Sequence, residues 1–124
     1  MPHSQPSYIG PDICDLHYLS HIMGGKKPVM LEIMENFLIQ LPLEMDGINK
    51  GIASHDYPAI KKHSHTMRST VSIMGISALD ADLREMEAMG GFDGHLDRMK
   101  QIQLILNTTC TKAIHEIEHE KLSY

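Results

Sequence analysis

The sequence predicts an all-α protein: an up-and-down antiparallel four-helix bundle with an additional short N-terminal helix. Three observations predict it. Apolar residues recur at three- and four-residue intervals through most of the chain, and no segment alternates apolar and polar for long. Glycine and proline fall at the junctions between those periodic runs. The 124 residues suffice for one core, and 42% hydrophobic with 22% charged residues is an ordinary globular mix. The connections are short, which makes neighbouring helices antiparallel.

Residues 1–10 carry Pro2, Ser4, Pro6, Ser7 and Gly10 and read as a flexible tail, leaving 11–124 as the helical domain. A short first helix is expected from about Asp12 to Met23, ended by Gly24-Gly25. A second starts near Pro28, with Met30, Ile33, Met34, Phe37, Leu41, Ile48 and Ile52 at helical spacing. Pro42 lies inside it and is expected to kink it or shift its register. Asp56 reads as the N-cap of a third helix, with Pro58 in its first turn and Gly75 at its end. Ser77 is expected to cap a fourth, carrying Leu79, Leu83 and Met86 up to Gly90-Gly91. Asp93 opens the last, whose stripe is Leu96, Met99, Ile102, Leu106, Cys110, Ala113 and Ile117.

Composition removes several function classes. No apolar stretch approaches the ~20 residues a membrane helix needs, and the first residues lack a signal peptide's basic start and apolar run. A cytoplasmic, monomeric protein with Cys14 and Cys110 reduced is the expectation. The net charge is −5, yet Tyr57 to Gly75 holds Lys61, Lys62 and Arg68 and no acid, so that window is +3 and the remainder −8. An acidic chain with one basic segment suits a small anion or an acidic partner at one place, and not nucleic acid.

Nine histidines are the chemical feature of the chain. His17/His21 and His115/His119 have the i, i+4 spacing of metal ligands. On the last helix, however, His115 and His119 fall opposite the apolar stripe and face water, whereas a metal-binding bundle turns its ligands inward. No resident metal is therefore expected. The third helix is more telling. Its apolar line is Tyr57, Ile60, Met67, Val71 and Met74, with Ser64 in register. His63 lies near the edge of that line, while His65 points away from it, with Lys61 and Lys62 one turn before and Arg68 and Ser69 one turn after.

The stretch His65-Thr66-Met67-Arg68-Ser69-Thr70, followed by Ile73-Met74-Gly75 and then by Leu79 through Glu87, resembles a histidine-containing phosphotransfer (HPt) domain. That family's motif is His-Thr-Leu-Lys-Gly-Ser, a Gly ten residues after the His, and a Leu-rich helix ending in Glu or Gln; Gly75 takes the ten-on position. Phe37-Leu38 and Leu41-Pro42 are similar to the family's Phe-Leu…Pro stretch, and Asp56-Tyr57 to its Asp before the histidine helix, so that the resemblance covers about residues 12–121. Two positions depart from the motif: Arg68 stands for Lys, and Ser69 for the Gly that bares the backbone.

The resemblance implies a carrier in a multistep His–Asp phosphorelay. His65 would take a phosphoryl group from a receiver-domain aspartate and pass it to another. Arg68 would pair with the phosphoryl oxygens, and Glu87, 22 positions after His65, would fix the imidazole tautomer. Lys61, Lys62, Ser69, Ser72 and Ile13, with Leu16 and Ile22 near it, would meet the receiver. The implied partners are response-regulator receivers and a hybrid sensor histidine kinase. The chain would need no cofactor, Mg²⁺ belonging to the receiver, and with no Gly-rich nucleotide loop it would not be a self-contained enzyme. Two other classes are a helical adaptor that docks a receiver without phosphotransfer, motivated by Ser69, and a His-rich metal-binding bundle.

Overall fold

The computed structural model describes residues 13–90 and 93–124, so the expected tail lies outside the described residues. The described chain is all-helical: α1 (Leu16–Ile22), α2 (Lys27–Ala53), α3 (Tyr57–Ile73), a 3₁₀ turn (Ser77–Leu79), α4 (Asp80–Met89) and α5 (Leu96–Lys121). The apolar stripes predicted from the sequence form the core. Phe37, Leu41 and Ile48 of α2 meet Ile60, Met67 and Val71 of α3, with Leu83 and Met86 of α4 and the Met99–Ile117 stripe of α5 buried among them. Helices α2 and α3, α3 and α4, α4 and α5, and α2 and α5 pack on one another. Side-chain pairs give the directions. Asn49 meets Asn107 while Glu35 meets Lys121, so α2 and α5 run antiparallel. No helix among the described residues is long and apolar enough to cross a membrane.

Several boundaries differ from the sequence expectation. Helix α1 starts at Leu16, because the Asp15 side chain accepts from Tyr18 N–H and so caps a later first turn; Asp12 lies outside the described residues. Helix α2 runs through Pro42 to Ala53, as one helix carrying Ile48 and Ile52 requires. Pro42 sits on the exposed face, where the carbonyl left without an N–H partner can turn to water. Ser77 caps nothing. It opens a tight 3₁₀ turn that buries Ile76 and Leu79, and α4 begins at Asp80 with two acids, Asp80 and Asp82, at its positive end. The last helix begins at Leu96 and not Asp93, after Gly94 takes φ +92°.

Two glycines place α3 relative to its neighbours. Gly75 ends α3 at φ +69°, and a Cβ there would stand 2.6 Å from the Cβ of Asp15, so the turn both needs glycine and seats the lead-in to α1. Gly90, buried at the end of α4, lies against the α3 backbone: its Cβ would come 2.8 Å from Lys61 Cα. That close approach brings the end of α4 alongside the first turns of α3.

Candidate functional site

Helix α3 is built to present one histidine outward. Asp56 caps it by accepting from Ala59 N–H, and Pro58 fits its first turn. Ser64, in the apolar line, is fully buried and donates its hydroxyl to the Ile60 carbonyl at 2.7 Å, which satisfies it inside the core. One residue on, the helix turns His65 to solvent, with 70% of its side chain exposed. His63 turns the other way and is half-buried: a Cβ on Gly47 of α2 would stand 2.5 Å from its ring.

Glu87 on α4 joins His65 to Arg68. Its Oε2 lies 2.8 Å from His65 Nδ1, and its Oε1 accepts from Arg68 Nη1 at 2.9 Å. Arg68 and Glu87 are half-buried. The Arg68 hydrogen bond, and after it the one with His65, holds the Glu87 carboxyl below the usual carboxylate range, so it is ionised at neutral pH. An ionised carboxylate only accepts, so its partner on the ring is Nδ1–H. The neutral imidazole then carries its lone pair on Nε2. A nucleophilic ring nitrogen on an exposed side chain, its tautomer fixed by a buttressed carboxylate, can attack an electrophile presented from solvent or accept a proton from it.

The other expected residues fall in three places. Lys61, Lys62, Ser69 and Ser72 are exposed on α3, and Arg68, Ser72, Asp15 and Tyr18 line one cleft of about 420 Å³ between α3 and α1. Ile13 is not in that cleft; with Leu16 it packs partly on the core and lines a second, larger cleft under α1 with Glu116 and Tyr124, while Ile22 is exposed. His17, His21 and His115 are exposed and His119 half-exposed, and among the described residues no group of three or more His, Cys, Asp or Glu could hold a metal ion.

Three features were not read from the sequence. Arg68 was expected to wait for a phosphoryl group, yet it has a partner in Glu87. Glu44 of α2 and Glu116 of α5 are buried charged residues within apolar stripes. Their signal was present: position 44 fills the gap between Leu41 and Ile48, and 116 sits between Ala113 and Ile117. Comparison of the chain with family models, curated proteins and solved structures found no match.

Proposed function

We propose that the chain is a histidine phosphotransfer protein of a His–Asp phosphorelay, carrying a phosphoryl group on His65 between receiver-domain aspartates. The observation that carries this reading is the exposed His65 ring held at Nδ1 by Glu87, 2.8 Å away, with Nε2 left as the nucleophile. The antiparallel helix pairs support an up-and-down four-helix bundle with a short leading helix as its architecture, with the HPt-like motif on one outer face.

The proposed step is a phosphoryl exchange. The Nε2 lone pair attacks phosphorus of a phosphoaspartate, the P–O bond to the aspartyl carboxylate breaks, and that carboxylate leaves with the bonding pair. No proton is lost: the ring keeps Nδ1–H and becomes a phosphorylated imidazolium, whose positive charge faces Glu87. Passing the group on reverses these events at a second receiver. Arg68 engages Glu87 through Nη1, so its Nη2 remains as a donor for a phosphoryl oxygen. Lys61 and Lys62, exposed on the same helix, add attraction for an acidic receiver face. The chain supplies the acceptor and no nucleotide chemistry, so it is read as a carrier.

The test is transfer from each phosphorylated receiver domain of the host to wild-type protein and to His65→Gln. Labelling that is acid-labile, base-stable and absent from His65→Gln supports the reading. A receiver that binds but never labels His65 replaces it with the adaptor reading.

A further inference from the structure

We propose that Glu116 of α5 is a positioning residue for receiver docking: it pins the segment leading into α1 and so sets α1 as one wall of the cleft beside Arg68. The inference rests on the phosphotransfer reading and goes beyond it to a residue outside the histidine motif.

Glu116 is a charged residue in an apolar stripe, with 9% of its surface exposed. Its Oε2 accepts Ile13 N–H and its Oε1 accepts Cys14 N–H, each at 2.8 Å. The next amide, Asp15 N–H, donates to the Met74 carbonyl at 3.0 Å, and the Asp15 carboxylate caps α1 at Tyr18. Three successive backbone amides are thus tied down, two to α5 and one to the end of α3, directly before α1 begins.

Helix α1 needs that anchoring. It has seven residues and a single fully buried side chain, Leu19, far short of the ~12–15 residues at which an isolated helix becomes even marginal. Its place is set by tertiary ties. What it borders is the site: Asp15 and Tyr18 form one wall of the cleft whose other wall is Arg68, Val71 and Ser72. A receiver that brings its phosphoaspartate to His65 approaches Arg68, one turn along, and meets this cleft in doing so. Burying a carboxylate is costly unless its oxygens are satisfied, and an apolar residue would fill the core more cheaply. Here both oxygens are spent on the backbone that positions α1. Glutamine cannot replace this: it offers one acceptor, and its amide would face a backbone N–H with another N–H.

The experiment compares wild type with Glu116→Gln and Glu116→Leu, all checked for folding by circular dichroism. The donors are a phosphorylated receiver domain that labels wild type in the screen above, varied in concentration under single-turnover conditions, and phosphoramidate, a small donor that needs no docking. Amide hydrogen exchange over Ile13–Leu19 is read alongside. The expected result for Glu116→Gln is faster exchange at Cys14 and Asp15 and a half-saturating receiver concentration raised about tenfold, the scale of one hydrogen bond to a charged group. The saturating transfer rate and phosphoramidate labelling are expected to stay at wild-type values. Unchanged exchange overturns the anchoring; faster exchange with unchanged receiver saturation makes Glu116 purely structural and overturns the positioning role. Should Glu116→Leu fail to fold, Glu116→Gln decides alone. Wild type that takes phosphate from neither donor overturns the proposed function, and this inference with it; wild-type transfer with indistinguishable variants overturns this inference only.

Discussion

Helix α3 meets a glutamate on each of two flanks, and the two are shifted in opposite directions. On the outer flank Glu87 receives Arg68 and His65, whose hydrogen bonds hold its carboxyl below the ordinary range. On the inner flank Glu44 receives the Thr70 hydroxyl, at 2.8 Å, and its Oε1 is buried with no hydrogen-bond partner among the described residues. Burial pushes the Glu44 carboxyl up, and Thr70 offsets this only in part. Nearby, the Cys110 thiol is pushed up to about 12, by burial first and by Glu44 second, which makes it inert. One helix thus separates a face where a guanidinium and a ring nitrogen pull a carboxyl below its ordinary range from a seam where burial outweighs one hydroxyl and pushes a carboxyl up. A cationic partner, rather than a carboxylate's place in the sequence, decides whether it is available for chemistry.

The largest expected effect breaks the outer face alone. His65→Gln should abolish phosphate uptake and leave thermal melting unchanged, since an exposed side chain contributes little to stability. His63→Gln, altering the ring packed at Gly47, should keep most uptake. Retained labelling in His65→Gln would assign the chemistry elsewhere. Next is Gly90→Ala, which forces a methyl against the Lys61 backbone and pushes α4 from α3. It should destabilise the fold by about 1–3 kcal/mol, read by denaturant melts, and should slow transfer by moving Glu87 from His65.

A smaller effect divides the outer face itself. Glu87→Ala should slow single-turnover transfer about tenfold, the scale of a hydrogen bond worth roughly 1.4 kcal/mol. Glu87→Gln should be milder, because an amide oxygen still accepts from Nδ1–H. Wild-type rates in Glu87→Ala would reduce Glu87 to a surface charge. Arg68→Lys should lose less again, keeping a donor for Glu87.

The smallest effect is on pH dependence, where the two flanks have opposite signs. Glu44 binds its proton more tightly folded than unfolded, so its contribution is complete below the ordinary carboxylate range and lost as pH rises through its raised value. Glu87 contributes above the ordinary range and loses that contribution as pH falls through its lowered value. Glu44→Gln should therefore flatten the fall in stability on the alkaline side of the ordinary carboxylate range, by about 1 kcal/mol or less, measured by melts across pH. A steeper fall in the variant would contradict the assignment.

Much of this was legible as direction. The α3 stripe put Ser64 inside and His65 outside, and the α5 stripe put His115 outside, because helical geometry fixes which way a side chain faces. What a side chain meets was less legible. Periodicity gives no hint that Glu116 ties residues 102 and 103 positions away, or that Arg68 and Glu87 share a bond across two helices. The starts of α1 and α5 differ because Asp12 and Asp93 are as good caps in sequence as Asp15, whereas α1 starts behind the Asp15 cap and α5 behind His95, which makes no side-chain cap.

The central claim is that Glu87 keeps the proton on Nδ1 of His65 and leaves Nε2 to take the phosphoryl group. The direct measurement is the ring-nitrogen NMR spectrum of ¹⁵N-histidine-labelled protein before and after treatment with phosphoramidate. The account predicts a His65 ring protonated at Nδ1 beforehand and bonded to phosphorus at Nε2 afterwards, with the other histidines unmodified. Phosphorus at Nδ1, on another histidine, or on none would contradict it.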